Sequence, residues 1–240
     1  MNGQRPFTVA IMQPYFLPYA GYFRLFAASD LFVIYDCVQF PRRGWVHRNR
    51  LNDARGLERW LTLPLEKAPR TILIRDLRFP FDAAELLAHR LRPFHLVAEN
   101  RDVQQILAAV RDARGSPLDY LERLLEHVVT YLGLPWTVIR SSALGVPAAI
   151  RGQHRILEIA RRLGATRYVN APGGGSLYDF KAFADAGIEL RFLDQYRGPS
   201  SSILARMIQQ PRDDLARDIR ESTQYVAEEV SGTHPMTERI

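Results

Sequence analysis

The 240-residue chain has one cysteine, Cys37, and two lysines, Lys67 and Lys181. A lone cysteine excludes an intrachain disulfide and a cysteine cluster for zinc, so only histidines and carboxylates could serve as metal ligands. The six histidines are scattered without metal-ligand spacing, so no catalytic metal is expected; the expectation for bound cofactors is likewise none. No run approaches the roughly 18 apolar residues that a membrane span requires. The apolar stretch near the start is broken at Gln13 and Pro14, too early for a signal peptide, and the expectation is a cytoplasmic chain. Repeats, low-complexity tracts and clean linkers are missing as well.

The scarcity of lysine shapes what the charge can mean. The formal net charge of +6 rests almost entirely on arginine, whose planar fork suits bidentate contacts with phosphate or carboxylate. An anionic partner fits that composition. Yet the arginines are spread along the chain rather than blocked together, and arginine in place of lysine throughout also fits a coding bias. Composition leaves a nucleic-acid partner open without deciding it.

What is present is organised around residues 9–51. Residues 9–12 and 31–35 are apolar runs that predict strands, separated by a Pro/Gly/Tyr-rich turn at 13–21 and a helix-length apolar segment at 22–28. Residues 60–65 and 71–77 predict further strands, and 81–91 predicts a helix with Asp82 as N-cap, ended by Pro93. Residues 100–111 and 118–132 carry helical periodicity; Ser116, Pro117 and Gly133 sit where an N-cap, a first helical residue and a helix stop belong. Strand and helix then alternate through 136–142, 154–163, 167–170, 179–186 and 188–193, and 202–226 is amphipathic and helical with a break at Pro211. This order predicts one α/β domain over 1–240, a mostly parallel Rossmann-like (nucleotidyltransferase-like) sheet with flanking helices. A helical insertion at 81–133 and a C-terminal helical region at 202–240 complete it. An apolar face on the last helices is compatible with docking on the sheet or with a homodimer.

Three clusters carry candidate chemistry. The turn after the first strand brings Gln13, Tyr15, Tyr19 and Tyr22 beside Gly21 and a helix N-terminus, an arrangement able to receive an anion, although tyrosines also simply pack turns. Asp36 ends the second strand, where a carboxylate can orient a nucleophile or take its proton, or merely cap the loop. Gln39, Arg43, Trp45, His47, Arg48, Asn49 and Arg50 follow at once, combining forked donors and a second base with an aromatic plate; the plainer reading is a solvated basic loop. Cys37 reads either as a nucleophile with His47 as its base or as a small buried residue. Finally Asn170, Gly173, Gly174, Ser176 and Tyr178 occupy a turn between a strand and a short helix, where backbone N–H groups can surround an anion or the chain can simply bend. That turn has neither the dinucleotide spacing nor that of a P-loop.

The N-terminal layout resembles nucleotidyltransferases and class I synthetases, pantothenate synthetases above all, whose second strand also runs into a Gln-Phe like Gln39-Phe40. In those families a His-Gly-His loop follows the first strand. Here Tyr19 and Tyr22 stand in the comparable places and cannot supply an imidazolium to a transferring phosphoryl group, so ATP-dependent adenylation is not carried over. The motifs QPYFLPYAGYF, VIYDCVQF, RRGWVHRNR, WLTLPL, YVNAPGGGSLYD and GIELRFL together resemble the WbqC-like family across most of the chain. That resemblance implies a place in bacterial surface-polysaccharide (O-antigen) or specialised-metabolite assembly. It also marks departures: the family pattern has aspartate at Cys37, asparagine at His47 and aspartate at Ala143.

The expectation is therefore a transferase that passes an acyl or aminoacyl group from a carrier-protein thioester or aminoacyl-tRNA to an amine on a sugar or other small acceptor. In it Asp36, His47 and Tyr22 are the catalytic candidates, with Asp36 or His47 positioning the amine. Arg43, Arg48 and Arg50 hold phosphates, Trp45 and Tyr15 stack on a ring, and the 173–175 turn binds the donor or an oxyanion. A nucleotide-sugar-dependent glycosyl- or nucleotidyltransferase and a non-catalytic carrier-binding module are the alternatives.

Overall fold

A computed structural model describes residues 5–94, 96–173 and 177–226. In chain order these form β1 (Thr8–Met12), α1 (Ala20–Ala28), β2 (Leu31–Ile34), β3 (Arg48–Asn52), β4 (Glu58–Thr62), α2 (Ala83–Leu91), α3 (Arg101–Arg111) and α4 (Pro117–Tyr131). After them come β5 (Val138–Arg140), α5 (Gly152–Arg162), β6 (Arg167–Asn170), α6 (Phe180–Asp185), β7 (Glu189–Phe192), α7 (Ile203–Gln209) and α8 (Arg212–Glu221). Five of the strands pair in parallel in the order β5-β2-β1-β6-β7, and β3 and β4 form a separate antiparallel hairpin.

The two-residue period of the strands divides the core between the faces of the sheet. Val9 and Ile11 of β1, Val33 of β2 and Tyr168 of β6 pack with Ile156 and Ile159 of α5 and Phe183 of α6. Ala10, Phe32, Ile34 and Val169 face the other way, toward α1, the helical layer of α2 to α4, and α7 and α8. Burial on both faces explains why the strands are continuous apolar runs rather than alternating ones. The architecture is Rossmann-like α/β, as the alternation of elements implied.

Local signals placed most helices. Ser116 caps α4 in a full capping box with Asp119, and Pro117 opens that helix. Asp82 precedes α2, but its side chain caps no N–H. Two expectations are corrected. Residues 71–77 are not a strand: Leu73 makes a single bridge to Gln39, and Ile74–Asp76 turns into a 3-10 helix against the loop after β2. Conversely, Arg48–Asn52, read from sequence as a loop, is a strand. Its inward positions are Asn49 and Leu51, so the apolar period that betrays a strand is half polar here.

Candidate active site at the reversal of strand order

In this sheet the strand order reverses between β1 and β6, and ligands of open α/β sheets bind at such a reversal, beyond the carboxyl ends of the strands. A cavity of about 650 Å³ opens there. Gln13 follows β1, Asn170 ends β6 and Ala171, Pro172 and Gly173 follow it, Gln195 and Tyr196 follow β7, and Tyr15, Tyr19 and Tyr22 come from the β1–α1 turn and α1. The hairpin contributes Asn49 and Arg50, the loop leading into it Trp45, and Tyr178 closes the β6 side. Among the described residues, Arg50 is the one charged side chain on the wall, and no carboxylate or imidazole lines it.

The β1–α1 turn is held from several sides. Leu17 is buried with φ of 47°, a left-handed conformation uncommon for a side chain of its size. Its carbonyl accepts hydrogen bonds from Asn49 Nδ2 and from Ser202 Oγ, the latter at 2.8 Å, while Phe16 N–H donates to the Trp45 carbonyl at 2.9 Å. Strain of this kind persists where surrounding contacts over-determine it. The hairpin and the α7 N-terminus therefore fix the turn that carries the tyrosines.

Those tyrosines are neutral donors. Burial raises the pKa values of Tyr15 and Tyr19 above the ordinary phenol, a rise that Tyr19 adds to for Tyr15 and Arg24 opposes for Tyr19. Tyr35, at the back of the cavity, is pushed up to about 12 by burial and then by Cys37. Tyr22 donates its hydroxyl to the Gln13 carbonyl at 2.8 Å and packs on Tyr15, ring centroids 5.4 Å apart. Tyr19 packs on Tyr196 at 5.8 Å.

Arg24 was not anticipated. It is only 1% exposed, its Nη1 donates to the Asp194 carbonyl at 2.9 Å, and its guanidinium lies 5.7 Å from the Tyr196 ring. Nε and Nη2 have no hydrogen-bond partner among the described residues. Burial lowers its pKa against the opposing pull of Tyr19, Asp194, Tyr196 and Asp218. A single charge in an otherwise apolar helix whose whole first two turns are buried was a visible signal. Gln195 and Tyr196 had none beyond their position just after β7.

A family model for the WbqC-like protein family matches residues 13–202, spanning β1's end to the start of α7. The chain belongs to the WbqC-like family. Uncharacterized protein Rv1507c of Mycobacterium tuberculosis (strain H37Rv) is 27% identical over 205 residues, covering 78% of this chain and 81% of that protein. No solved structure matches the chain.

In this WbqC-like chain the predicted residues divide by position. Gln13, Tyr15, Tyr19, Tyr22, Trp45, Asn49, Arg50, Asn170, Gly173 and Tyr178 converge on the cavity. Gln39 and Arg43 line a separate shallow groove with Arg42 and Arg70. Arg48 stacks over Trp60, 4.2 Å from the ring centroid, and donates to the Arg43 carbonyl at 2.8 Å. Gly174 and Ser176 lie outside the described residues. No described group of three or more His, Cys, Asp or Glu is placed to hold a metal ion.

Asp36 and His47 are set behind the cavity wall. Asp36 is fully buried and accepts from Ser141 Oγ at 2.7 Å, Ser142 N at 2.9 Å and Ser142 Oγ at 2.5 Å, tying the end of β2 to the end of β5. Cys37 beside it is 2.9 Å from Ser141 Oγ and accepts from Nε and Nη2 of the buried Arg155 at 3.3 and 3.2 Å. His47 meets Phe40 edge-on, and its Nδ1 has no partner among the described residues. Burial, then Arg48 and Arg90, lowers its pKa to about 4, which makes it a weak proton acceptor at neutral pH.

That shift predicts an acid sensitivity. The unfolded imidazole takes a proton near its ordinary value of about 6.5, whereas the folded one resists until about 4, so stability falls as pH drops from 6.5 through 4. His47→Gln, uncharged throughout, is expected to flatten that part of the profile. The check is the urea midpoint of parent and variant across the window; parallel curves would show that His47 is not responsible.

Proposed function

We propose that this chain transfers an acyl or aminoacyl group from a pre-activated donor, a carrier-protein thioester or an aminoacyl-tRNA ester, to an amine on a sugar or similar small acceptor. The setting is surface-glycan or specialised-metabolite assembly in bacteria, as the resemblance to the WbqC-like family implies. The observation that carries the reading is the cavity wall: tyrosine rings, side-chain amides and one guanidinium at the reversal of the sheet. An unprotonated amine is nucleophilic without help, and a thioester or ester already has a competent leaving group. Such a reaction asks for orientation and for neutral donors to a developing oxyanion.

In this reading the amine nitrogen attacks the donor carbonyl carbon, forming the C–N bond while the C–S or C–O bond breaks. The proton lost from nitrogen passes to the departing sulfur or oxygen. Tyr15 and Tyr19, kept protonated by burial, donate to the oxyanion, Gln13 and Asn170 orient the acceptor, and Arg50 at the wall holds an anionic group of the donor. Tyr15→Phe and Tyr19→Phe are each expected to slow amide formation by about tenfold, the worth of one neutral hydrogen bond. The assay combines purified protein with amino sugars and with thioester and aminoacyl donors, read by mass. Glycosidic rather than amide products would replace this reading with the nucleotide-sugar-dependent one, which the cavity's place at the strand reversal favours.

A further inference from the structure

Although arginines occur throughout, their excess does not. Residues 42–78 hold ten Arg and Lys against four Asp and Glu, a surplus of six equal to that of the whole chain. The rest of the molecule is therefore formally neutral. Three of those four carboxylates are already engaged, Glu58 with Arg50, Asp53 with Arg59 and Asp76 with Arg75. Arg42, Arg43 and Arg70 are exposed around one groove and have no carboxylate partner among the described residues.

The same segment exposes aromatic planes. Trp60 on the outward face of the β3–β4 hairpin is 46% exposed, and Trp45 is 37% exposed, their rings 5.5 Å apart. Arg48 lies over Trp60, and Arg50 lies 5.5 to 5.7 Å from both rings. The register explains the split of the hairpin: Arg50 is directly opposite Trp60 on the outer face, while Leu51 and Leu61 are buried on the inner. Cations over aromatic rings, exposed beside a cationic groove, form a stacking platform for unpaired bases. Exposed Trp and Arg also anchor protein interfaces, but guanidiniums laid over two exposed indoles beside a groove of arginines without carboxylate partners among the described residues suit bases and phosphates together.

We propose that this surface docks the single-stranded end of an RNA, the groove of Arg42, Arg43 and Arg70 taking backbone phosphates and the Trp45–Trp60–Arg48 platform taking bases. The track then leads into the cavity, because Trp45 and Arg50 belong to both. An ester-linked aminoacyl group on the terminal ribose would arrive among the cavity tyrosines. The inference rests on the group-transfer reading above and selects an RNA-borne donor over a carrier protein.

The test uses the full chain and an RNA hairpin carrying a short single-stranded 3′ end, with a blunt hairpin and an acidic acyl carrier protein as comparisons. Binding is read by anisotropy of the labelled probe. The overhanging RNA is expected to bind, to weaken steeply as salt rises, and to lose about tenfold in affinity in Trp60→Ala but little in Trp60→Phe. Arg43→Glu should weaken both RNAs alike, as a phosphate contact does. Circular dichroism confirms that the exposed-site variants are folded. Equal binding of blunt and overhanging RNA, an unaffected Trp60→Ala, or binding of the carrier protein in place of RNA would each overturn the proposal. Amide formation from a small thioester with no RNA binding would overturn this inference while leaving the group-transfer reading standing.

Discussion

Asp36→Ala is expected to lower folding stability by about 2–4 kcal/mol, a large share of the roughly 5–15 kcal/mol that holds a domain folded. The carboxylate is wholly enclosed and accepts from both Ser141 and Ser142. Truncation to a methyl group leaves those donors facing a void. The two hydroxyls can turn toward other acceptors, but the Ser142 N–H is fixed by the backbone and must remain unpaired or recruit water. Asp36→Asn keeps the shape and one acceptor oxygen, and its NH₂ can donate to the Ser142 hydroxyl, so its loss is expected to be near 1 kcal/mol. Urea unfolding of the three proteins checks the order, and an Asp36→Ala midpoint equal to the parent's would remove the assignment. The pair also separates fold from chemistry. A stable Asp36→Asn protein that forms no amide would mean the carboxylate reaches the reaction despite its place behind the wall.

Asp36 illustrates what sequence could and could not convey. Its position at the end of β2 was legible from the apolar run before it, because strands buried on both faces advertise themselves by composition. Whether it faced a ligand or a neighbouring loop was not legible, since Ser141 lies 105 residues on and only the pairing of β2 with β5 brings the two together. The same division holds elsewhere. Ser116 and Pro117 announced α4 because capping is a contact across three residues. The first strand of the hairpin was missed because Asn49, which turns inward to the carbonyls of Phe16 and Leu17, breaks the apolar alternation that would have marked β3. The Asn49 bonds are long-range in sequence and are also what position the tyrosine turn. Local rules thus found the sheet and its helices, and the cavity wall had to be assembled from β1, β6, β7 and the hairpin before its composition could be read.

Gly21→Ala is expected to leave the fold intact and cut transfer by about a hundredfold, the scale of a misplaced site residue. Gly21 is the second residue of α1, where alanine is ordinarily favoured by about 1 kcal/mol. An added Cβ, however, would fall 2.3 Å from Cε2 and 2.8 Å from Cζ of Tyr19. Backbone is not in the way, so the helix can stay and the ring must leave. Tyr19 packs against Tyr196 on the cavity wall, and swinging it away both removes its hydroxyl and reshapes the wall. Stability and activity should therefore part company, with a urea midpoint near the parent's and a turnover well below that of Tyr19→Phe, which keeps the ring in place. A double substitution makes the cause testable: if Gly21 acts through Tyr19, adding Gly21→Ala to Tyr19→Ala should cost nothing more, because the ring it displaces is already gone. Full additivity would instead place the effect in the backbone at the α1 N-terminus, and parental activity in Gly21→Ala would show that transfer does not depend on where the Tyr19 ring sits.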